Sequence, residues 1–432
     1  MMKKILNYLM FFASITFSAC DDDKTIYDPV IPDPEIIITD LSENGTANCY
    51  VVTKPGIYSF SANVIGNGDT GIIDFVAFHT NESYILPASV KVVWQDYYDS
   101  GAGLIDSIAL NTAKNKVIFK TSETFIPGNA LIAACDNNGN ILWSWHIWLP
   151  AVEITSINSA TGYEVMNVNL GALTDEAGNP ESYGMLYQWG RKDPFPASAT
   201  LTGTTTTMSA PLYDMQGNTV TIQNSSWTDL NDNNIAYSIR NPAVCISNNA
   251  QYSTSRDWIK ANRSTDALWG NPDGNQKDSD GNYINKGKKS CYDPCPVGWR
   301  VPPADVFRNF ITPNPLNMAF AVSDFNIIDI DNNGILDIND YNYGWVFKLD
   351  ENASSYFPAA ARFDGQYAML MGSVSGVWGS YWSNTPYGST NGTSVVPLSF
   401  QTNNYNGTPG IATMILFNGS RADAYSVRCV KE

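Results

Sequence analysis

The chain has 432 residues, enough for two or three domains at ~100–200 residues each. Hydrophobic residues make up 44% and charged residues only 16%, which excludes a disordered chain. A net charge of −17 with no basic cluster excludes the electrostatic footprint of nucleic-acid binding.

Lys3 and Lys4 precede an apolar run from Ile5 to Phe17 and then Ser18-Ala19-Cys20, the pattern of a secretory signal over residues 1–19. The run is too short to span a bilayer. The cysteine makes the segment resemble a bacterial lipoprotein signal, with Phe17-Ser18-Ala19-Cys20 as the lipobox. That resemblance implies a lipidated Cys20 as the new N-terminus, an anchor in the outer membrane, and loss of two lysines that takes the charge from −17 to −19. The alternative is an ordinary signal peptide cut beside a cysteine. Asp21-Asp22-Asp23 is similar to the surface-export signal of lipoproteins in the Bacteroides group; otherwise it is a solvated start to a tether. Residues 20–36, with three prolines and no periodic pattern, predict an extended lipidated tether.

Over 37–150, alternating runs predict strands at Cys49–Thr53, Ile57–Ala62, Ile72–Phe78, Val90–Gln95, Ile105–Asn111, Lys116–Thr121, Leu131–Ala134 and Ile141–Trp148. Punctuated by Gly and Asn turns, they predict a β-sandwich domain. Alternation puts Trp143, Trp145 and Ile147 on one face of the last strand and Ser144, His146 and Trp148 on the other. A tryptophan stripe suits a sugar platform; a last strand packed at a domain junction suits it better.

From 155 to 432 the pattern is loop-rich and α+β. Asp-x-x-Gly-Asn turns start at Asp175, Asp214 and Asp278, with a shortened one at Asp273, each fitting a hairpin loop. Helices are expected at Ala250–Asn262 and Pro303–Phe310.

Blocks in this region stand in one order: Tyr187-Gln188-Trp189-Gly190-Arg191-Lys192-Asp193-Pro194-Phe195, Tyr292-Asp293-Pro294-Cys295-Pro296-Val297-Gly298-Trp299-Arg300, Tyr356-Phe357-Pro358-Ala359-Ala360, Tyr381-Trp382-Ser383 and Ser426-Val427-Arg428-Cys429. Together they resemble the major paralogous domain named after Fibrobacter succinogenes, found on surface lipoproteins and fimbria-associated proteins. The resemblance implies a C-type-lectin-like fold over 155–432, and hence a mixed chain: an N-terminal β-sandwich followed by an α+β lectin-like domain. It also implies a Cys295–Cys429 disulfide tying the Pro-Cys-Pro loop to the last strand.

Six cysteines remain after Cys20, open to several pairings, with Cys49–Cys135 a further candidate and free buried thiols the alternative. Counted from Asp329, side-chain oxygens fall at positions 1, 3, 5, 9 and 12 (Asp329, Asp331, Asn333, Asp337, Asp340), with Gly334 sixth and the Ile335 carbonyl seventh. This is an EF-hand-like calcium loop pattern, similar to dockerin loops, although the following Tyr341–Phe347 reads as strand. A solvated acidic turn is the alternative.

His79 and His146 lie in apolar runs of the first domain, so neither a multi-histidine zinc site nor a serine triad is expected. Arg191-Lys192-Asp193 is expected to be a structural ion pair pinning a loop. The chain is therefore read as non-enzymatic: an adhesin-like surface lipoprotein, with Trp378, Tyr381 and Trp382 as an aromatic platform for a glycan or protein ligand, or else core filling. A structural fimbrial subunit is the rival reading. A glycan-processing enzyme, which would need a cleft with two carboxylates, is the second.

Overall fold

The computed structural model describes residues 37–432 apart from 70–83, 202–208, 229, 231–232, 249–256, 261–264, 311–325, 335–338, 389–393, 406–407 and 416–418. Cys20 and the tether, His79 and the expected strand Ile72–Phe78 thus lie outside the described residues. Ile38–Glu432 forms one compact unit. Strands dominate it, and among the described residues no helix is long and apolar enough to cross a membrane.

The described residues of the first part hold the strands β1 Ile38–Asp40, β2 Cys49–Val51, β3 Ile57–Ser61, β4 Ser89–Gln95, β5 Tyr98–Asp99, β6 Ala102–Gly103, β7 Ile105–Leu110, β8 Lys116–Thr121, β9 Gly128–Cys135 and β10 Ile141–Leu149. One sheet runs β1-β3-β8-β7. A second contains β4-β9-β10-β2 and is extended past β4 by a hairpin from much later in the chain, Leu212–Tyr213 with Thr219–Val220. Aromatic rings join the two sheets: Phe60 on β3 stacks on Tyr50 of β2 at 4.7 Å and meets Trp145 of β10 edge-on at 5.1 Å.

Every residue of β10 is buried, because the strand has partners on both faces. Trp145 faces the first sheet. Ser144, His146 and Trp148 face the second half of the chain, where Ser144 donates to Asp193, His146 meets Tyr187, and the Trp148 indole donates to the Ala172 carbonyl at 2.7 Å. The stripe is therefore packed at a junction. Asn48, beside β2, ties the same seam: its amide donates to the Cys291 and Asp293 carbonyls and its oxygen accepts from Trp143. One hydrophobic cluster accordingly runs from Cys49 through Trp189 and Trp269 to Cys429.

In the second half, Phe195–Pro196, Met185–Gln188, Ala424–Ser426, Trp378–Tyr381, Leu398–Tyr405 and Thr408–Ile415 run in order through the largest sheet, and Phe363–Asp364 with Met369–Leu370 joins it at Ala424. The final strand Val430–Lys431 lies in a separate sheet between Glu164–Met166 and Trp299–Arg300. Beside that pairing the Cys295–Cys429 disulfide closes, with Cα atoms 6.2 Å apart. Cys49 and Cys135 are free, a correction to the pairing expected for them. Cys49 sits opposite His146 and Cys135 opposite Ile141, five residues apart along β10 or ~16 Å at ~3.3 Å per residue. That is more than double the ~7 Å limit for a disulfide.

The Asp214 and Asp278 turns carry the expected chemistry. In each, the leading carboxylate accepts from backbone N–H groups two and four residues on, and the glycine has positive φ. Asp136 builds the same turn between β9 and β10. Asp175 differs: Asn179 caps a 3₁₀ turn at Pro180–Ser182, so no hairpin forms there, and Asp273 likewise opens none. Pro303–Phe310 appears as a 3₁₀ helix over Ala304–Phe310. The 250–262 helix falls mostly outside the described residues, and 257–260 between the gaps is not helical. An α-helix at Asn234–Arg240 was not expected.

Candidate metal centre

The acidic loop hangs between two paired chain segments. Ile327 bridges to Phe347, the Ile328 N–H donates to the Val346 carbonyl at 2.9 Å, and the strand Gly344–Lys348 pairs onward with Ser354–Pro358. Beneath it lies a cluster of Phe307, Phe310, Phe347 and Phe357. The chain thus leaves and re-enters the body at one place, which brings residues eleven apart in sequence together.

Inside the loop, Asp340 is buried and its Oδ1 accepts from the Ile330 N–H at 2.6 Å. Asp329 Oδ2 accepts from the Gly334 N–H at 2.7 Å, a closure that requires positive φ at Gly334 (+82°). Asp329 Oδ1 is shielded from water with no hydrogen-bond partner. Asp331 accepts from the backbone and the amide of Asn333. One carboxylate oxygen from each of Asp329, Asp331 and Asp340 lies within 4.8 Å of the others. Two oxygens on opposite sides of a calcium ion, at ~2.4 Å each, span that distance. Partial desolvation, and the carboxylates of Asp329 and Asp340, raise the Asp331 carboxyl above its ordinary pKa, although Asn333 opposes them. Positions one, three and twelve of the expected loop are thus brought together, position five turns its amide toward position three, and Ile335 and Asp337 lie outside the described residues. An oxygen-only donor set of this kind suits a hard divalent cation.

The aromatic platform is corrected. Tyr381 and Trp382 are fully buried, because the strand Trp378–Tyr381 is interior to the largest sheet. The Tyr381 hydroxyl donates to the Pro358 carbonyl at 2.7 Å; the Trp382 indole donates to the Tyr187 carbonyl at 2.6 Å and stacks on Tyr425 at 4.0 Å. Neither ring can meet a ligand. Trp378 is partly exposed, with the Arg362 guanidinium 4.2 Å over its ring.

Arg191, Lys192 and Asp193 are buried as well. Lys192 Nζ donates to Asp193 and to the Ser144 hydroxyl, both at 2.6 Å, and to the Ser144 carbonyl at 3.0 Å, pinning the loop to β10. Burial pulls the Lys192 pKa down, and Asp193 partly restores it.

One concavity escaped sequence reasoning. A cavity of about 320 Å³ opens at the seam, walled by Asp96, Tyr97 and Asn129 from the first half and by Glu181, Met185 and Pro196 from the second. Its two carboxylates are far apart in sequence and belong to no motif, so no spacing signal joins them. No family model, curated protein or solved structure matches the chain.

Proposed function

We propose that this chain is a surface-anchored, non-catalytic binding lipoprotein. Cys20 carries the lipid, residues 20–36 form the tether, a β-sandwich makes the stalk, and a lectin-like domain over 155–432 presents a calcium-ordered loop to a glycan or protein ligand outside the outer membrane. The observation that carries this reading is the gathering of Asp329, Asp331 and Asp340 within 4.8 Å on an exposed loop, a place where calcium would stiffen the backbone. Supporting it, the clustered motif residues Trp189, Lys192, Trp382 and Arg428 are all buried and serve packing, whereas that loop stands at the surface.

Calorimetric calcium titration of residues 24–432, with thermal melting alongside, tests the reading. Submillimolar binding is expected, with stabilisation of about 2.7 kcal/mol at a hundredfold excess over Kd. Both effects should vanish when Asp329→Ala and Asp331→Ala are combined. Glycan-array screening with and without calcium then follows. Absence of heat and of any melting shift would reduce the loop to an acidic turn.

A structural role in a fimbrial fibre is the second reading, favoured by one feature. β1 is a three-residue strand at the edge of its sheet and begins at the exposed Ile38, where a neighbouring subunit's strand would have a ladder to join.

A further inference from the structure

The seam cavity is built around an uncompensated negative charge. Asp96 is held rigidly: its Oδ1 accepts the Asn129 backbone N–H at 2.7 Å, its Oδ2 accepts the Asn129 side-chain amide at 3.0 Å, and its own N–H donates to the Asn129 carbonyl at 3.0 Å. Gly128 leaves room for that carboxylate, since a Cβ there would approach Asp96 Oδ1 to 2.6 Å. Asn129 is in turn locked by the Gly171 carbonyl and by His146. Each carboxylate oxygen therefore keeps a lone pair with no donor assigned to it.

Glu181 supplies a second carboxylate to the lining. Among the described residues no Lys, Arg or His lines the cavity, and neither carboxylate has an ion-pair partner. Burial, with Glu181 adding its charge, pushes the Asp96 carboxyl up to about 6, so at neutral pH an ionised group stands there without a counter-charge. Much of the rest of the wall is apolar: Tyr97, Pro127, Leu173, Pro180, Met185 and Pro196. At about 320 Å³ it lies at the small end of ligand pockets.

We propose that this cavity binds an organic cation, an alkylammonium group on an apolar stem, with Asp96 and Glu181 as the charge partners and the proline and Leu173–Met185 wall holding the stem. A free amine and the lysine side chain of a partner polypeptide share that chemistry. The proposal is independent of the loop at 329–340 and is tested in the presence of chelator.

The purified chain is titrated at pH 7.5 and low ionic strength with cadaverine, with an end-blocked Gly-Lys-Gly peptide, and with the same peptide acetylated at the lysine Nε. Binding of the two cations with millimolar or tighter Kd is expected, with at least tenfold loss for the neutral peptide. Glu181→Gln, an exposed position that leaves the fold intact, should weaken binding at least threefold, and Asp96→Asn tenfold or more. Tighter binding of the peptide assigns the pocket to a partner's lysine; tighter binding of cadaverine assigns it to a free amine. No binding of either cation, equal binding of the acetylated peptide, or unchanged affinity in folded Glu181→Gln overturns the proposal.

Discussion

His146 shows how a buried network assigns a single side chain its state. The Asn129 amide donates to Asp96 and to the Gly171 carbonyl, so its oxygen is left to face His146 Nε2 at 2.9 Å. Nε2 must then carry the hydrogen, and Nδ1 accepts from the Tyr187 hydroxyl at 3.3 Å. Burial drives the imidazole pKa down to about 3. Because the folded value lies below the unfolded one near ~6.5, the stabilisation is complete above pH 6.5 and is lost as pH falls toward 3. This group's share of the loss reaches on the order of 4 kcal/mol. Asp96, with its pKa raised to about 6, acts in the opposite sense, gaining as pH falls. Melting temperatures recorded from pH 7 to pH 4 should therefore drop more steeply for the native chain than for His146→Gln; parallel curves would sink the assignment. The apolar run around His146 was legible in the sequence. Its partners at 129 and 187 were not, because they come from other strands.

At the scale of elements, period-2 alternation worked where strands run five residues or more. Ile57–Ser61, Lys116–Thr121 and Ile141–Leu149 stand within a residue or two of expectation; Lys116–Thr121 buries alternate residues, whereas Ile141–Leu149 is buried on both faces. It failed where strands are shorter. The hairpin Leu212–Val220 completes a sheet through Gln95, and the two-residue strands at Phe195 and Trp299 are too short to show a period. Tyr381 and Trp382 misled because an aromatic beside Gly reads the same on an interior strand as on a surface turn. The Asp329 loop was half legible: spacing placed three carboxylates, whereas the pairing of Ile327 with Phe347 that gathers them carries no local signature. The disulfide closes 134 residues and in the chain-entropy model contributes about 5 kcal/mol. Cys295→Ala with Cys429→Ala should lower the urea midpoint by that free energy divided by the slope m, which is measured in the same experiment. An unchanged midpoint would mean that the reduced chain keeps its ends together without the bond.

For the whole molecule, the question is whether the stretches 37–150 and 155–432 melt together. β10 offers one face to Phe60 and the other to Tyr187 and Ala172, so neither stretch covers its apolar surface alone. Trp189, Trp258 and Trp269 extend the same core, and Arg421 is buried against the Trp189 ring with Asp257 and Asp266 as its counter-charges. Differential scanning calorimetry should give a single transition with equal calorimetric and van't Hoff enthalpies. Two resolved transitions would show that the seam is a contact between independent folding units. Composition announced the large core; nothing in it announced that one core serves both stretches.

The clasp at Cys295 has one more consequence, for survival among proteases. A single cut anywhere between 296 and 428, the exposed acidic loop at 330–334 included, releases no fragment, because both new ends stay joined through the sulfur bridge.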